Sequence, residues 1–578
     1  MEPSSTSLID VIRASIIGDD EALLGPFGFR RVVYADYTAS GRSLSFIEDF
    51  VRQQVMPLYA NTHTESSATG LQTTRFREDA RAIIHEAVGG GPDDLVLFCG
   101  SGATGAVNHL VHVLNLRLPH DLDRHYGFSR QIPEDQRPVV FIGPYEHHSN
   151  ELPWRESIAQ VVTIRSDADG EIDQRDLEAK LKAFQARPLK IGSFSAASNV
   201  TGILSDDRAI ARLLHRYGAH SFWDYAAAAP YLKIEMNPEL DGEDAHKDAV
   251  FLSPHKLIGG PGTPGVLVAK RQLFHNTVPV VPGGGTVSFV SPTEHHYSLG
   301  TERREEGGTP AILESIRAGL VFQLKEAVGA ETIRAREESF IRRAIASWRE
   351  NPRLKIMGNP DAQRLSIVAL AIRHGSGYLH WNFVVALLND LFGIQARGGC
   401  SCAGPYGHRL FEVEEAESRR FDQVIGRGYD GIKLGWFRIN FNYFLSEAVF
   451  DYLVQAVHLV ANEGWKLLPR YRFDPRTSLW AHVGQRPAQP MSLRDITYEA
   501  GWLDFRSRHA TEPESALAGY LADARQIFDR AGQEPVVPAA GPVLPPEFEA
   551  LRWFPLPGEV AEDVRQGVAP PLSTSRYG

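Results

Sequence analysis

A lysine that could act as a nucleophile follows a short apolar run in the first half of the chain. The segment FLSPHKLIGGPGTPGVLVAK (251–270) ends this run in Ser-Pro-His-Lys and continues through a glycine-rich loop into a second apolar run. An amine after a buried strand is partly desolvated and is more readily deprotonated. Lys256 is therefore a candidate for Schiff-base chemistry. The alternative is a surface lysine whose stem lies along apolar side chains.

A carboxylate stands at the end of another predicted strand. The segment FWDYAAAAP (222–230) places Asp224 before a run of alanines. A lone aspartate at such a point is commonly a helix cap or a turn former. Together with Lys256, however, it matches the two groups that pyridoxal 5'-phosphate (PLP) requires: an amine that forms a Schiff base, and a fixed carboxylate that keeps the pyridine nitrogen protonated. We therefore interpret Lys256 and Asp224 as residues that bind PLP.

A glycine-rich turn is the candidate phosphate site. The segment CGSGATGAVNHLVHVL (99–114) joins a predicted strand to a predicted helix, and the N–H groups at a helix N-terminus can bind phosphate. The backbone of Gly102 and Ala103 and the hydroxyl of Thr104 would line this cup. Glycines also occur in such turns for conformational reasons alone. The segment lacks both the lysine-serine ending of a Walker loop and the spacing of a dinucleotide fingerprint.

Short motifs recur in one order over most of residues 30–460. With them the chain resembles the class V aminotransferase group of fold-type I PLP enzymes, and in motif it is most similar to cysteine desulfurases and selenocysteine lyases. Besides the phosphate loop, the motifs are YADYTASG (34–41), YEHHSN (145–150), SAASNVTG (195–202), WDYAAAAP (223–230), SPHK (253–256), EGGTP (306–310), RGGCSCAGP (397–405) and FRINFN (437–442).

The resemblance implies roles for the residues around the PLP ring. His147 would stack on the pyridine ring, where an imidazole can also move protons; without the resemblance it would be interpreted as a core or turn histidine. Asn199 would lie near the phenolic oxygen, and Asp224 would pair with the ring nitrogen. The family generally has Gln or another polar residue three positions after this aspartate, but here Ala227 stands. Either Asn199 and a water suffice, or the cofactor is tuned for another reaction.

The resemblance also implies a phosphate site that two subunits share. Thr309 would reach the phosphate from the partner subunit, so the resemblance implies a homodimer with a shared active site. The residues that would hold the phosphate from the first subunit are Gly102, Ala103, Thr104, Ser253 and His255.

Three further positions concern the substrate: Arg438 and Arg397, which are expected to bind it, and Cys402. Arg438 matches the arginine that binds the substrate α-carboxylate, a task suited to a planar bidentate donor, whereas a surface ion pair is the alternative. Cys402 matches the sulfur-accepting cysteine that becomes a persulfide, and Arg397 could assist by lowering its pKa. Cysteine is also a common small buried residue, and Cys400 stands where the resembled pattern often carries His.

The preferred interpretation is a PLP-dependent enzyme that removes sulfur from cysteine, gives alanine and leaves a persulfide on Cys402. Lys256 would move the α-proton, and a sulfur-acceptor protein could take the product sulfur. An aminotransferase, epimerase or lyase on the same scaffold is the rival interpretation. A third is a non-catalytic scaffold protein with this fold, which the presence of both Lys256 and Asp224 disfavours.

The elements that must position these residues form an α/β pattern. Apolar, β-branched runs alternate with helical periodicity from about residue 95, which predicts a mostly parallel sheet with functional groups at the carboxyl ends of its strands. Helices are predicted near 104–115, 173–184 and 206–217, and one long helix over 310–350. The predicted strands cover 95–99, 138–143, 160–164, 189–194, 220–224, 248–253 and 264–270.

The organisation along the chain predicts four segments. These are an N-terminal arm (1–45), a large PLP-binding domain (46–330), a small α+β domain (331–470) and a Pro-rich C-terminal extension (471–578). The extension, with its linker-like stretch GQEPVVPAAGPVLPPEFE (532–549), is expected to wrap the surface. The charge run ERREE (302–306) is expected to be solvated.

Composition narrows the class of protein. Hydrophobic residues make up 43% and charged residues 23% of 578 residues, as in globular proteins of more than one domain. The formal charge of −11, without a basic stripe, argues against a nucleic-acid partner. Three cysteines cannot form a disulfide framework or a four-cysteine zinc site, which favours a reducing, cytoplasmic setting. The first residues do not resemble a signal peptide, and no long uncharged apolar run predicts a membrane span.

Overall fold

The structure, a computed structural model, describes residues 7–62, 64–238, 244–484, 491–507, 509–531, 533, 541–573, 575 and 577. The chain divides into two compact units. Unit 1 comprises Met1–Ile17, Tyr37–Glu338 and Asp361–Leu365, and unit 2 comprises Gly18–Asp36, Ser339–Pro360 and Ser366–Gly578. The division into four segments stays a prediction.

A seven-stranded sheet lies at the centre of unit 1. Its spatial order is β1-β7-β6-β5-β4-β2-β3, with β7 antiparallel to both neighbours and the other pairs parallel. The mostly parallel α/β sheet predicted from the apolar runs is therefore confirmed. Its strands are β1 Asp94–Cys99, β2 Val139–Ile142, β3 Gln160–Thr163, β4 Lys190–Ser195, β5 His220–Asp224, β6 Ala249–Leu252 and β7 Gly265–Lys270.

Helices and a small hairpin complete unit 1. The helices predicted near 104–115, 173–184 and 206–217 are confirmed. They are Gly102–Val113, Gln174–Ala183 and Asp207–Arg216. The other α-helices are Leu8–Ala14, Ser45–Phe50, Ala68–Ala87, His120–Tyr126, Phe128–Gln131, Leu152–Arg155, Thr301–Glu305 and Ile312–Val328, and the hairpin strands are Val287–Val290 and His295–Tyr297.

The single long helix predicted over 310–350 is wrong. Two helices stand there, Ile312–Val328 and Ala330–Arg349. Gly329 separates them with φ +84° and ψ 129°, a conformation that is essentially restricted to glycine. The apolar periodicity continues on both sides of this residue, so the pattern did not reveal the break.

The parallel pairing of the strands, which are buried along almost their whole length, places their carboxyl ends at one edge of the sheet. One side of the sheet packs on the apolar face of the helix Gly102–Val113, including Ala106, Val107 and Leu110, all fully buried. Because β1, β2, β4, β5 and β6 run in the same direction, the residues that follow them share this edge.

Unit 2 is built around an antiparallel sheet. The strands Leu354–Ile356, Ile367–His374, Trp436–Asn440 and Arg397–Gly399 lie side by side in that order, and Gly377–Tyr378 pairs with the second of them. The remaining short strands are Ala22–Gly25, Gly28–Arg31, Val33–Tyr34, Ile394–Gln395, Tyr471–Phe473 and Trp480–His482. The α-helices are Trp381–Phe392, Gly404–Leu410, Glu415–Gly426, Glu447–Glu463, Leu517–Ala531, Pro546–Glu549 and Ala561–Gln566.

The C-terminal residues are part of the core of unit 2, so the expectation that they only wrap the surface is wrong. Trp553 is buried, donates its indole N–H to the Ile432 carbonyl at 3.0 Å, and stacks on His380 with ring centroids 5.4 Å apart. Tyr577 is also buried, and its carbonyl accepts the Tyr378 hydroxyl at 3.0 Å. Much of the Pro-rich stretch 532–549, namely 532 and 534–540, lies outside the described residues.

The charge run 302–306 is not a solvated surface throughout. Glu306 is paired with Arg77 and Arg81 and accepts the Phe98 N–H at 2.8 Å, and its side chain is 9% exposed. The side chain of Glu305 is almost fully buried. Opposite charges and a backbone donor compensate the burial of these carboxylates.

No helix within the described ranges of the chain is both long and apolar enough to cross a membrane.

Candidate active site

Lys256 and Asp224 lie at the same edge of the sheet, after β6 and at the end of β5. Asp224 is 5% exposed and its Oδ1 accepts the Ala226 N–H at 2.8 Å. Burial raises the pKa of Asp224, and the Ala226 N–H and the positive charge of Lys256 oppose that rise. The two groups therefore lie at one edge of the sheet, close enough for the charge of Lys256 to act on this carboxyl.

A small cradle is formed where the loop after β1 meets the loop after β6. Ser253 Oγ accepts the Ala103 N–H at 2.8 Å. A Cβ placed on Gly102, whose φ is +54°, would lie 2.9 Å from Ser253 Oγ and 3.7 Å from His255 Nε2. Four residues predicted to hold the phosphate, Gly102, Ala103, Ser253 and His255, are therefore brought together, at the N-terminus of the helix Gly102–Val113.

His255 is a neutral side chain in this cradle. Burial, reinforced by the charge of Lys256, lowers the pKa of His255 to about 4. Its Nδ1 lies 3.4 Å from the hydroxyl of Ser40, a residue of the motif YADYTASG. A neutral imidazole can donate one hydrogen bond and accept another, so His255 can serve as a phosphate donor without competing with Lys256 for a proton.

His147 is connected to Thr104 through Ser149. The Nδ1 atom of His147 accepts the Ser149 N–H at 3.1 Å, and the Ser149 hydroxyl lies 2.6 Å from that of Thr104. An accepting Nδ1 assigns the ring proton to Nε2. Asn199 follows β4 at the same edge and is buried. The structure thus places these predicted residues after neighbouring strands.

Thr309 is not among the residues that form the cradle of its own unit. It is exposed, and its hydroxyl accepts a 3.4 Å hydrogen bond from the Asn61 side chain. Its predicted role, at the phosphate of a partner subunit, stays a prediction.

A buried glutamate beside His147 was not identified from the sequence. Glu146 accepts hydrogen bonds from Ser195 N–H at 2.9 Å and from the Asn150 side chain at 2.7 Å, and both Glu146 and Asn150 are buried. Burial raises the pKa of Glu146 to about 7, against these hydrogen bonds, and the nearby Asp224 carboxylate adds to the rise. Its place within YEHHSN, next to His147, was the available signal.

Unit 2 carries a cluster of two arginines around one aspartate. Arg438, on the central strand Trp436–Asn440 and 3% exposed, donates to Asp36 Oδ1 at 2.8 Å. Arg397 lies 3.0 Å from Asp36 Oδ2, and its side chain is 53% exposed. The two arginines are directly paired in register across neighbouring strands. Asp36 was missed because its role depends on this pairing, which the spacing of the residues does not reveal.

The cysteine loop follows directly after Arg397–Gly399. Cys402 is exposed, whereas Cys400 is partly buried and Cys99 is buried, and all three are free thiols. Ser401 and Cys402 have φ values of +52° and +55°, in the left-handed region that residues other than glycine seldom adopt. Such a conformation persists only where the surroundings impose it, and it is frequent at functional sites.

The residues at the sheet edge fit PLP. The cradle at Gly102 is a space that any side chain would fill, and it stands at a helix N-terminus where a phosphate is favoured. A buried carboxylate, Asp224, suits a protonated ring nitrogen, and an amine, Lys256, is close to it.

The comparisons with known proteins agree with this arrangement. The family model for aminotransferase class-V matches residues 33–420, more than half of the chain. The chain belongs to the class-V aminotransferase family. It is a PLP-dependent enzyme, and the predicted resemblance and cofactor are confirmed.

Among curated members of the family, the chain is similar to proteins named as cysteine desulfurases. A probable cysteine desulfurase of Staphylococcus aureus (strain N315) is 25% identical over 384 residues, which are 65% of this chain and 84% of the relative. A cysteine desulfurase of Dickeya dadantii (strain 3937) is 27% identical over 379 residues, again 65% and 84%.

Solved structures of two proteins named as cysteine desulfurases show the same fold. The apo cysteine desulfurase from Thermococcus onnurineus NA1 has a TM-score of 0.62 at 20% identity and covers 80% of this chain and 100% of its own. A cysteine desulfurase from Escherichia coli in an S-sulfonic acid form has a TM-score of 0.58 at 21% identity, covering 78% and 98%. The fold-type I architecture predicted for this chain is thereby confirmed.

Proposed function

We propose that this class-V enzyme removes sulfur from cysteine, releasing alanine and leaving a persulfide on Cys402. The observation that carries the proposal is the exposed thiol of Cys402, held at φ +55° in the loop after Arg397–Gly399. The names of the curated relatives support the same reaction.

The residues of unit 1 would bind the cofactor and move protons. PLP held by Lys256 would supply an electron-withdrawing ring that stabilises negative charge at the substrate Cα. Asp224 would keep the ring nitrogen protonated, and His147 would lie against the ring. The loop at Gly102, with Ser253 and His255, would hold the phosphate. The amine of Lys256 would also take the α-proton of the substrate as a general base.

The sulfur step would need a thiolate, the substrate, and bound PLP to stabilise the electron pair that is left on the carbon skeleton. The Cys402 thiolate attacks the substrate sulfur, so that an S–S bond forms while the Cβ–S bond breaks. The electron pair of the broken bond stays with the carbon skeleton, and Cβ takes a proton as alanine forms. The transferred sulfur remains on Cys402 as a persulfide, so the step balances without an external oxidant. Arg438 would bind the α-carboxylate of the substrate through its planar guanidinium.

The test compares three cysteine variants for alanine release and for PLP absorbance. Cys402→Ser should abolish alanine release from cysteine with cofactor content unchanged, because serine cannot replace a thiolate nucleophile. Cys400→Ser is the control within the same loop, and Cys99→Ser, a buried position on β1, controls for loss of any thiol. Full alanine release by Cys402→Ser would overturn the proposal.

The same purified protein distinguishes the rival reactions. An aminotransferase would give a new amino acid only when a keto acid is added, an epimerase would change the optical rotation of its substrate, and a lyase would release sulfide without a persulfide. A scaffold protein would do none of these. Selenocysteine must be assayed separately, because selenium can leave without the Cys402 thiol.

We further infer the surroundings in which the enzyme acts. Free thiols at Cys99, Cys400 and Cys402 suit a reducing cytoplasm. The exposed position of Cys402 suits transfer of its sulfur to an acceptor protein.

A homodimer would place Thr309, which is exposed, at the phosphate of the second active site. A dimer mass in sedimentation, with lower PLP retention in Thr309→Ala, is the expected result; a monomer that keeps full activity would contradict it.

A further inference from the structure

A cluster of histidines and aspartates lies at the edge of the unit 1 sheet opposite to Lys256. His220 begins β5, and Asp248 immediately precedes β6. His215 stands at the end of the helix Asp207–Arg216, and His246 lies two residues before Asp248. Because this is the amino-terminal edge of the parallel strands, the cluster takes no part in the PLP chemistry proposed above.

Asp248 is the buried centre of the cluster. It is 2% exposed, and its Oδ2 accepts the Ser221 N–H at 2.8 Å. The Nε2 atom of His215 lies 3.1 Å from Oδ2, that of His246 lies 3.5 Å from Oδ1, and Nδ1 of His220 lies 3.2 Å from Oδ1. Three imidazoles therefore surround this one buried carboxylate.

The other nitrogens of two rings converge on Asp244. The rings of His215 and His246 stack with centroids 4.2 Å apart. His215 Nδ1 lies 3.4 Å from Asp244 Oδ1 and 3.2 Å from its carbonyl oxygen, and His246 Nδ1 contacts the same Oδ1 directly. One ligand atom from each of the three residues lies within 4.8 Å of the others.

We propose that His215 Nδ1, His246 Nδ1 and the Asp244 carboxylate bind a divalent transition-metal ion. Zn²⁺ suits this set of donor atoms best. Two imidazoles and a carboxylate are a donor set that zinc accepts in tetrahedral sites. With bonds of about 2.0–2.2 Å, tetrahedral geometry sets its ligand atoms about 3.4 Å apart. The His215–Asp244 separation has this value, and the Asp244 side chain, 62% exposed, can turn to open its contact with His246. A water would complete the shell.

Asp248 supports the assignment independently of these three ligands. Metal-binding histidines donate their second ring N–H to a carboxylate, which fixes the tautomer and turns the other nitrogen toward the ion. Asp248 stands at the Nε2 atoms of both His215 and His246. The ion would fasten the end of the helix Asp207–Arg216 to residues 244–248.

The test uses the PLP-loaded full chain in which Cys400 and Cys402 are replaced by serine, since those thiols could bind zinc themselves. After treatment with a chelator, it is titrated with Zn²⁺, and with Co²⁺, whose visible absorption reports tetrahedral coordination. We expect one ion per chain. His215→Gln and His246→Gln should each abolish binding, while His295→Gln, at an exposed position, should leave it intact. Asp248→Asn should weaken binding about 10–100-fold.

Asp244→Asn is the variant that tests the site without disturbing the fold, because the Asp244 side chain is exposed. A loss of metal affinity in this variant cannot be ascribed to a damaged core. Binding that survives both histidine substitutions would overturn the proposal. So would the absence of bound metal in the folded, PLP-loaded protein.

Discussion

Arg438, the residue proposed to bind the substrate carboxylate, is also part of the packed interior of unit 2. Its guanidinium is buried on the central strand of the unit 2 sheet and already has a carboxylate partner, Asp36. A fork of N–H donors can hold one carboxylate and offer remaining donors to another. Arg397 shares Asp36 but is half exposed, so the two arginines differ in burial around one common anion.

Replacing Arg438 by lysine should raise KM for the amino-acid substrate about 10–100-fold with little change in kcat, because a charged bidentate hydrogen bond contributes about 1.5–3 kcal/mol. The lysine keeps a positive charge beside Asp36, so the buried carboxylate is not left alone. Steady-state kinetics test this. Arg397→Lys is the matched control and should change KM less; equal effects of both variants would contradict the role given to Arg438.

The raised pKa of Glu146 predicts that the free energy of unfolding depends on pH. Its pKa in the folded protein is about 7, above the ordinary 4.5, so the folded state binds the proton more tightly than the unfolded state does. The stabilisation by the neutral carboxyl is complete below about pH 4.5 and is lost as the pH rises through 7. Since a difference of one in pKa corresponds to about 1.4 kcal/mol, the loss amounts to about 3 kcal/mol.

Urea denaturation midpoints across this pH range, compared between the native chain and Glu146→Gln, measure the effect. Glutamine does not titrate, so the fall in the midpoint between about pH 4.5 and 7 should be smaller in the variant, whatever its overall stability. Parallel curves for the two proteins would show that another group is responsible.

At the scale of elements, we expect the strand-to-helix turn at Gly102 to be needed for phosphate binding. Gly102→Ala should lower the amount of PLP that remains after dialysis, because the added Cβ lies 2.9 Å from Ser253 Oγ inside the cradle. The measurement is cofactor absorbance per chain. Gly218→Ala is the matched control, since its φ of +64° imposes similar backbone strain while its Cβ would meet no atom within 4 Å. Equal PLP loss in both variants would assign the effect to strain.

At the scale of the whole chain, the C-terminal residues stabilise unit 2. Trp553 is 5% exposed, whereas Trp502 is 66% exposed, so the same substitution can be made at a buried and at an exposed tryptophan. Trp553→Ala should destabilise unit 2 by about 3–5 kcal/mol through the cavity that it leaves, and Trp502→Ala should cost about 0.5 kcal/mol or less.

Because two units need not unfold together, hydrogen exchange of the strand Ile367–His374 is the appropriate measurement. Its amides should exchange faster in Trp553→Ala and at the native rate in Trp502→Ala. Unchanged exchange in Trp553→Ala would mean that the C-terminal residues contribute no stability to the sheet.

The amino-acid sequence by itself determined the class of the protein and most of the unit 1 sheet. Local apolar runs set the strands, and the order of polar residues at their ends indicated Lys256, Asp224 and the phosphate loop. These features are local along the chain. Their meeting at one edge then follows from the sheet itself, because the carboxyl ends of parallel strands share an edge.

Only the tertiary structure decided the features that depend on pairing between distant residues. The break at Gly329 rests on a single φ value rather than on periodicity, and the burial of Trp553 and Tyr577 depends on surfaces supplied by Ile432 and Tyr378. The pairing of Arg438 with Asp36 joins positions far apart in sequence, as does the meeting of His215 with Asp248. Spacing along the chain carries no record of such contacts, because they form only when separate elements pack together.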